Sequence, residues 1–164
     1  MRNQRLLETR DALNIQSLKQ LALQIGIPKE EIIDIASNIK KHYQTEEKTQ
    51  EKPDGRIKKR TIYHRSPRLE KILKTINNYL LKKIKLSEVV HGSRKKHSTL
   101  TNAKMHAGQR YVLGFDIENF FPSIRPYSVF NMFRRLKCTP VVSKCLTRLC
   151  TADNHVPQGY NTRI

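Results

Sequence analysis

YVLGFDIENFFPSI, residues 111–124, is the stretch on which the reading of this chain turns. An apolar run rich in Tyr, Val, Phe and Ile delivers one aspartate, Asp116, and the pair Phe120 and Phe121 follows it. The composition of residues 110–117 predicts a strand, with Gly114 inside it. A carboxylate at the tip of a buried strand is costly unless something neutralises it, and no Lys or Arg is adjacent. A divalent cation would do so. Hard oxygen ligands suit magnesium, which needs few protein carboxylates when substrate phosphates complete its shell. The other reading of an isolated Asp here is a cap on the turn into Glu118 and Asn119.

Working outward, Pro126 opens a predicted helix carrying Val129, Phe130, Phe133 and Leu136, and Pro140 opens another with Val142, Cys145, Leu146 and Leu149. Residues 86–109 have weak periodicity and read as a basic loop with one short helix around Thr101 to His106. Before it, Leu69, Ile72, Leu73, Ile76, Tyr79 and Leu80 form a helical face after Pro67, opposite Lys71, Lys74 and Lys82. Turn chemistry in KPDG, residues 52–55, between two polar runs predicts a solvated hairpin with a basic tip. The chain begins with short helices: Ile15, Leu18, Ala22 and Ile25 recur until Gly26, and Ile32, Ile33, Ala36 and Ile39 follow Pro28.

Charge is unevenly placed. Lys and Arg number 32 against 14 Asp and Glu among 164 residues, a net charge of +18. Residues 51–110 alone hold 17 basic and 4 acidic side chains, or +13. Such a field repels itself unless a polyanion lies against it, so nucleic acid is the expected partner, bound in a salt-sensitive way. A basic surface that only aids solubility, or one that meets anionic lipid, is the competing reading. No run of eighteen uncharged apolar residues and no apolar signal core occur, which predicts a cytoplasmic protein without a membrane partner. Cys138, Cys145 and Cys150 are odd in number and lie in apolar helical patterns, so reduced, buried thiols are expected.

Four motifs, in order, resemble one family. The 111–124 stretch looks like the first carboxylate motif of reverse transcriptases, and STLTNAKMH, Ser98 to His106, is similar to the S-x-x-x-N-A-x-x-H signature of bacterial retron-type enzymes. VPQGYN, Val156 to Asn161, resembles their L-P-Q-G motif, and residues 52–76 resemble the fingers. The lead-in at residues 21–43 is also similar to the start of retron enzymes, so the resemblance runs from about residue 18 onward.

The resemblance implies an α+β fold: a helical lead-in (1–45), a basic fingers region with the hairpin (46–110), and an incomplete antiparallel palm sheet (111–164) of a right-hand polymerase. It implies an RNA-directed DNA polymerase that extends a DNA or RNA primer on an RNA template with deoxynucleoside triphosphates. Asp116 would be catalytic and, with the carbonyl of Ile117, a ligand to Mg2+, two ions serving the complete enzyme. Phe121 would lie under the sugar, Arg60 would contact the triphosphate with Lys58 beside it, and Gln158 and Gly159 would shape the nucleotide and template pocket. Asn102 and His106 are expected to be structural, His106 bracing its loop. Of Phe120 and Phe121, strand alternation predicts one buried and one facing the cleft.

The family supplies its remaining metal-binding acids from an aromatic-x-Asp-Asp hairpin beyond the Gln-Gly motif, and Ile164 comes before it; NTRI also departs from the usual Ser-Pro continuation. The expectation is therefore a truncated enzyme, inactive alone, with a bare sheet edge that leads to marginal stability or to association with a complementing palm and thumb chain. A structured non-coding RNA partner and a role in antiviral defence are further implications of the retron resemblance. Two other readings stay open: a non-catalytic RNA-binding module that works through the +13 segment, and a decayed gene product without activity.

Overall fold

Two helices form the lead-in where its apolar periodicity predicts them. In the computed structural model, which describes residues 12–51, 55, 57–92 and 94–158, α1 spans Leu18–Ile25 and α2 spans Lys29–Ser37. Ser17 caps α1 by accepting from the Gln20 N–H, and Gly26 closes it at φ 67°, donating to the Ala22 carbonyl. Glycine takes that left-handed conformation without a Cβ penalty. Pro28 sets the entry to α2, whose first turn carries Glu30 and Glu31 at the positive end of the helix dipole.

A 3-10 turn, Ile39–His42, leads into β1, Tyr43–Glu51, which pairs antiparallel with β2, Ile57–Arg65. The register runs from Tyr43 opposite Arg65 to Glu51 opposite Ile57, so the predicted hairpin is present. Of its basic tip, residues 52–54 and 56 lie outside the described residues. Within the described part only Ile62 and Tyr63 are buried, as the polar sequence of both strands requires. α3, Pro67–Tyr79, starts at Ser66, whose hydroxyl accepts from the Leu69 N–H and lies 2.8 Å from His42 Nδ1. It buries Leu69, Ile72 and Ile76, and Leu80 continues the face. Tyr79, expected on that face, is exposed instead. Eleven residues from Leu69 make about three whole turns at 3.6 residues each, and ten do not, so Leu80 points inward and Tyr79 sideways.

α4, Thr99–Lys104, opens with a capping box between Ser98 and Thr101. α5 is a single turn, Phe120–Ser123; α6 spans Pro126–Arg135 and α7 spans Pro140–Cys150, each with proline in the first turn, where a missing N–H costs nothing. α7 packs against α1, α2, α3 and α6. The resulting core takes Ile15, Leu21 and Ile35 from the lead-in, Leu69, Ile72 and Ile76 from α3, and Phe133, Val142, Leu146 and Leu149 from α6 and α7. Two backbone bonds fasten the lead-in to the α6–α7 corner: Asn14 N–H to Leu136 O at 3.2 Å and Thr139 N–H to Ile15 O at 3.1 Å. One core therefore draws on all three segments, 1–45, 46–110 and 111–164. Cys138 and Cys145 are buried, Cys150 is half-buried and all three are free thiols; burial pushes the Cys145 thiol up to about 11.

The predicted strand at 110–117 is not formed. Residues 111–117 have no ladder partner, and among the described residues the sheet consists of β1 and β2 alone. Leu113 is 81 % and Phe115 91 % exposed. A strand needs a neighbour to take its N–H and C=O groups, and without one water satisfies them and the apolar side chains stay outside. Seven α-helices and one two-stranded antiparallel sheet make the described part of the chain α+β, without the incomplete palm sheet expected of it. No described helix is long and apolar enough to cross a membrane.

Candidate functional site

A cleft of about 450 Å³ opens beside β2. Three segments far apart in sequence line it. β2 contributes Lys59, Arg60, Thr61 and Tyr63; the turn after the exposed 111–117 segment contributes Ile117, Asn119, Phe120, Phe121 and Pro122; the last described loop contributes His155 and Gln158.

Local backbone rules explain how each arrives there. Asn119 sits at φ 52°, a left-handed conformation that Asn tolerates better than most residues, and it reverses the chain so that Phe120 and Phe121 start α5 facing the cleft. Their rings meet edge to face, 5.4 Å between centroids at 78°. Neither is buried: Phe121 is 39 % exposed and Phe120 more so. The expected division into one core ring and one cleft ring fails because they stand on a helical turn and not on a strand, where sides would alternate.

The loop after α7 is a miniature hairpin. Ala152 and His155 exchange backbone bonds of 3.0 and 2.9 Å across Asp153 and Asn154, both at positive φ, 46° and 63°. Two consecutive left-handed residues are the signature of a type I′ turn, for which Asp and Asn are suited. Val156 N–H then donates to Ile124 O at 3.0 Å, and the Arg125 guanidinium donates to Asn154 O at 3.3 Å. The loop is thereby held against the start of α6.

Tyr63 holds the same loop from the other side. Its backbone N–H donates to Gln158 O at 3.0 Å, its hydroxyl donates to Asp153 Oδ2 at 2.9 Å, and its ring meets His155 edge to face at 5.4 Å. Burial first, and then the neighbouring Asp153 carboxylate, push the Tyr63 phenol up to about 12 from 10.0. The neutral phenol thus stabilises the fold fully below pH 10, and that contribution is lost as pH rises through about 12. Tyr63→Phe is expected to cost about 0.5–1.5 kcal/mol at neutral pH. In urea titrations of both proteins the gap should narrow near the upper end of that pH range; a gap independent of pH would mean that the hydroxyl is not held as described.

The sequence-predicted residues divide into four groups. Arg60, Ile117, Phe121 and Gln158 come together on the cleft walls. Asp116 is next to Ile117 but exposed, with no hydrogen bond or ion pair to another described residue. Lys58 lies on β2 opposite Gln50, two residues before Arg60, and its side chain, like the whole of Gly159, lies outside the described residues. Asn102, on α4, and His106, just past it, are exposed and away from the cleft walls. The loop they belong to is braced by His91, whose ring nitrogens lie 3.0 Å from Thr101 Oγ1 and 2.7 Å from Met105 Sδ. Sequence reasoning passed over Tyr63, Asp153 and His155. The Asp-Asn pair is a turn signal that could have marked the loop; the Tyr63 contacts are long-range and left no local trace.

Among the described residues no group of three or more His, Cys, Asp or Glu side chains could enclose a metal ion. What Asp116 and the Ile117 carbonyl offer is two hard oxygen donors, one of them charged. That set fits part of a magnesium shell that is completed by phosphate oxygens, and it is too small for a pair of ions.

No family model matches the chain. Curated relatives do. It is 34 % identical over 147 residues to the retron Se72 reverse transcriptase of Salmonella heidelberg (strain 579083-10), covering 88 % of this chain and 38 % of that protein. It is 35 % identical over 111 residues to the retron Ec86 reverse transcriptase of Escherichia coli, covering 68 % of this chain and 35 % of that one. A third relative, the retron Ec48 reverse transcriptase of Escherichia coli, is 29 % identical over 161 residues, 90 % of this chain and 38 % of the relative. The chain thus spans little more than a third of the length of each.

Proposed function

The chain belongs to the retron-type reverse transcriptases, and from that premise we propose that its cleft is the nucleotide-facing side of an RNA-directed DNA polymerase site. One observation carries the reading: Arg60, Ile117, Phe121 and Gln158, drawn from three separate segments, line the same cavity. An incoming deoxynucleoside triphosphate would meet the guanidinium of Arg60, with Lys59 beside it, through its phosphates. The Phe121 ring would pack under its sugar, close enough to disfavour a 2′-hydroxyl. Gln158, held in place by the Tyr63 N–H, would face the base and template, with Gly159 next to it.

Asp116 and the Ile117 carbonyl would hold magnesium together with the substrate phosphates. When bound, the metal supplies charge neutralisation at the reacting phosphoryl group. One carboxylate cannot serve both ions of a two-metal site, so the isolated chain is expected not to extend a primer. The apolar segment 111–117 would be covered by a partner strand in the complete active site, whether from the same enzyme or from a complementing chain. An RNA template, a primer and deoxynucleoside triphosphates are the substrates this reading assigns.

Titration of the isolated chain with a deoxynucleoside triphosphate and Mg2+, followed by fluorescence or calorimetry, tests the cleft directly. Arg60→Gln removes charge-assisted hydrogen bonds of about 1.5–3 kcal/mol, so affinity should fall by roughly ten- to a hundredfold. Equal affinity of the two proteins would remove Arg60 from the site. Robust primer extension by the isolated chain would overturn the claim that a second set of acids is needed. The exposed position of Asp116 favours one rival, a non-catalytic RNA-binding module. That rival requires RNA affinity that is unchanged by Asp116→Ala and by removal of Mg2+, together with no triphosphate binding at Arg60.

A further inference from the structure

A second and larger cleft, of about 700 Å³, lies where the 152–154 turn meets the 3-10 turn, β1, α6 and α7. None of the four motifs above falls in it, and of the lead-in at residues 21–43 only Ile39, Lys40 and Tyr43 do. Lys144 and Arg148 stand one helical turn apart on the exposed face of α7, and Lys40 comes from the 3-10 turn after α2. None of these three cations forms an ion pair with a described residue. The rings of Tyr43, Tyr127 and Phe130 line the same cleft; Tyr127 is 74 % exposed and the other two are half-buried. Asp153 is an acid on the cleft wall, and its carboxylate is already engaged by the Tyr63 hydroxyl.

We propose that this cleft binds a single strand of nucleic acid, distinct from the nucleotide of the first cleft. Three cations without an ion pair to a described residue, in a cleft that also holds the exposed ring of Tyr127 and the half-buried rings of Tyr43 and Phe130, match the chemistry of a sugar–phosphate backbone with a base that stacks: phosphates meet Lys40, Lys144 and Arg148 while a base lies on Tyr127. A purely apolar ligand would leave the cations uncompensated, and a small inorganic anion would not use the rings. The chain's net charge of +18 favours a polyanion over a small anion. The site lies outside the strongly basic 51–110 segment, so local geometry and not bulk charge would make it specific. The inference rests on the polymerase reading only in taking nucleic acid as the partner.

Fluorescence anisotropy with a labelled oligouridylate of about ten nucleotides, a length within the usual single-strand site size, tests this on the full chain between about 50 and 200 mM salt. The double variant Lys144→Gln/Arg148→Gln should lose at least about tenfold in affinity at low salt, and its salt slope should shrink by about 1.4, the loss of two single-strand phosphate contacts. Tyr127→Ala should lose about fivefold or more through stacking. Lys71→Gln/Lys74→Gln, an equal charge change on the back of α3, should matter little. The site is lost if the α3 pair costs as much as the α7 pair, or if Tyr127→Ala has no effect. Competition by uridine monophosphate at matching nucleotide concentration would mark a mononucleotide pocket and overturn the strand assignment. Failure of the Arg60 titration alone would fall on the first cleft and leave this one standing.

Discussion

Asp116→Ala is expected to abolish primer extension by a complete reverse transcriptase that carries this segment, for example one in which it replaces the matching region of a retron relative. The reason is the donor set. Asp116 is an acid next to the cleft-lining Ile117, on the other side of it from Glu118, and it has no described partner to satisfy. Changes behind a metal ligand typically cost ten- to a hundredfold, so loss of the ligand itself should exceed about a hundredfold in rate. Asp116→Asn keeps the shape and removes the charge, and it should fail almost as badly. Because the side chain is exposed in this chain and has no described partner, neither change should lower the melting temperature of the isolated chain by more than a degree or two, the effect of roughly 0.5 kcal/mol at the surface. A variant that keeps a tenth or more of the parent's activity would remove Asp116 from the chemistry.

The second large effect is on stability. Phe133 is 0 % exposed, on the α6 face that meets α7, and the corner that follows is fastened to the lead-in by the Asn14 and Thr139 backbone bonds. Phe133→Ala would leave a cavity among side chains that belong to several helices, and such changes cost about 3–5 kcal/mol. Against a typical total of about 5–15 kcal/mol that is a large share. Urea denaturation followed by circular dichroism should show the midpoint fall, with Tyr127→Ala on the same helix as a surface control that changes little. A loss below about 1 kcal/mol would mean that α6 is not packed as described.

Much of the fold was readable from the chain because helices carry their hydrogen bonds within themselves. Gly26, Pro28, Ser66, Pro126 and Pro140 mark their ends by local backbone chemistry, and apolar residues three and four apart mark their buried faces. The hairpin was readable for a similar reason, since its strands adjoin the turn that pairs them. The site was readable only in part. Motif order named Arg60, Ile117, Phe121 and Gln158, but nothing local shows that they share a cleft; that follows from Tyr63 bonding to the 153–158 loop and from Asn119 reversing the chain.

Residues 110–117 mark the boundary between the two kinds of information. Their composition favours extended backbone, and composition determined that much: a run that no helix claims, ending in an acid. Whether extended backbone becomes a strand depends on a neighbour that can accept its hydrogen bonds, and that is decided by which parts of the chain lie alongside. Here nothing described does, so Phe115 and Leu113 remain in water and Asp116 beside them. Local sequence thus determined the helices, their ends and the hairpin, while tertiary structure decided the pairing of 111–117, the sides of Phe120 and Phe121, and the pin at Tyr63, because each of these depends on contacts between residues far apart in the chain.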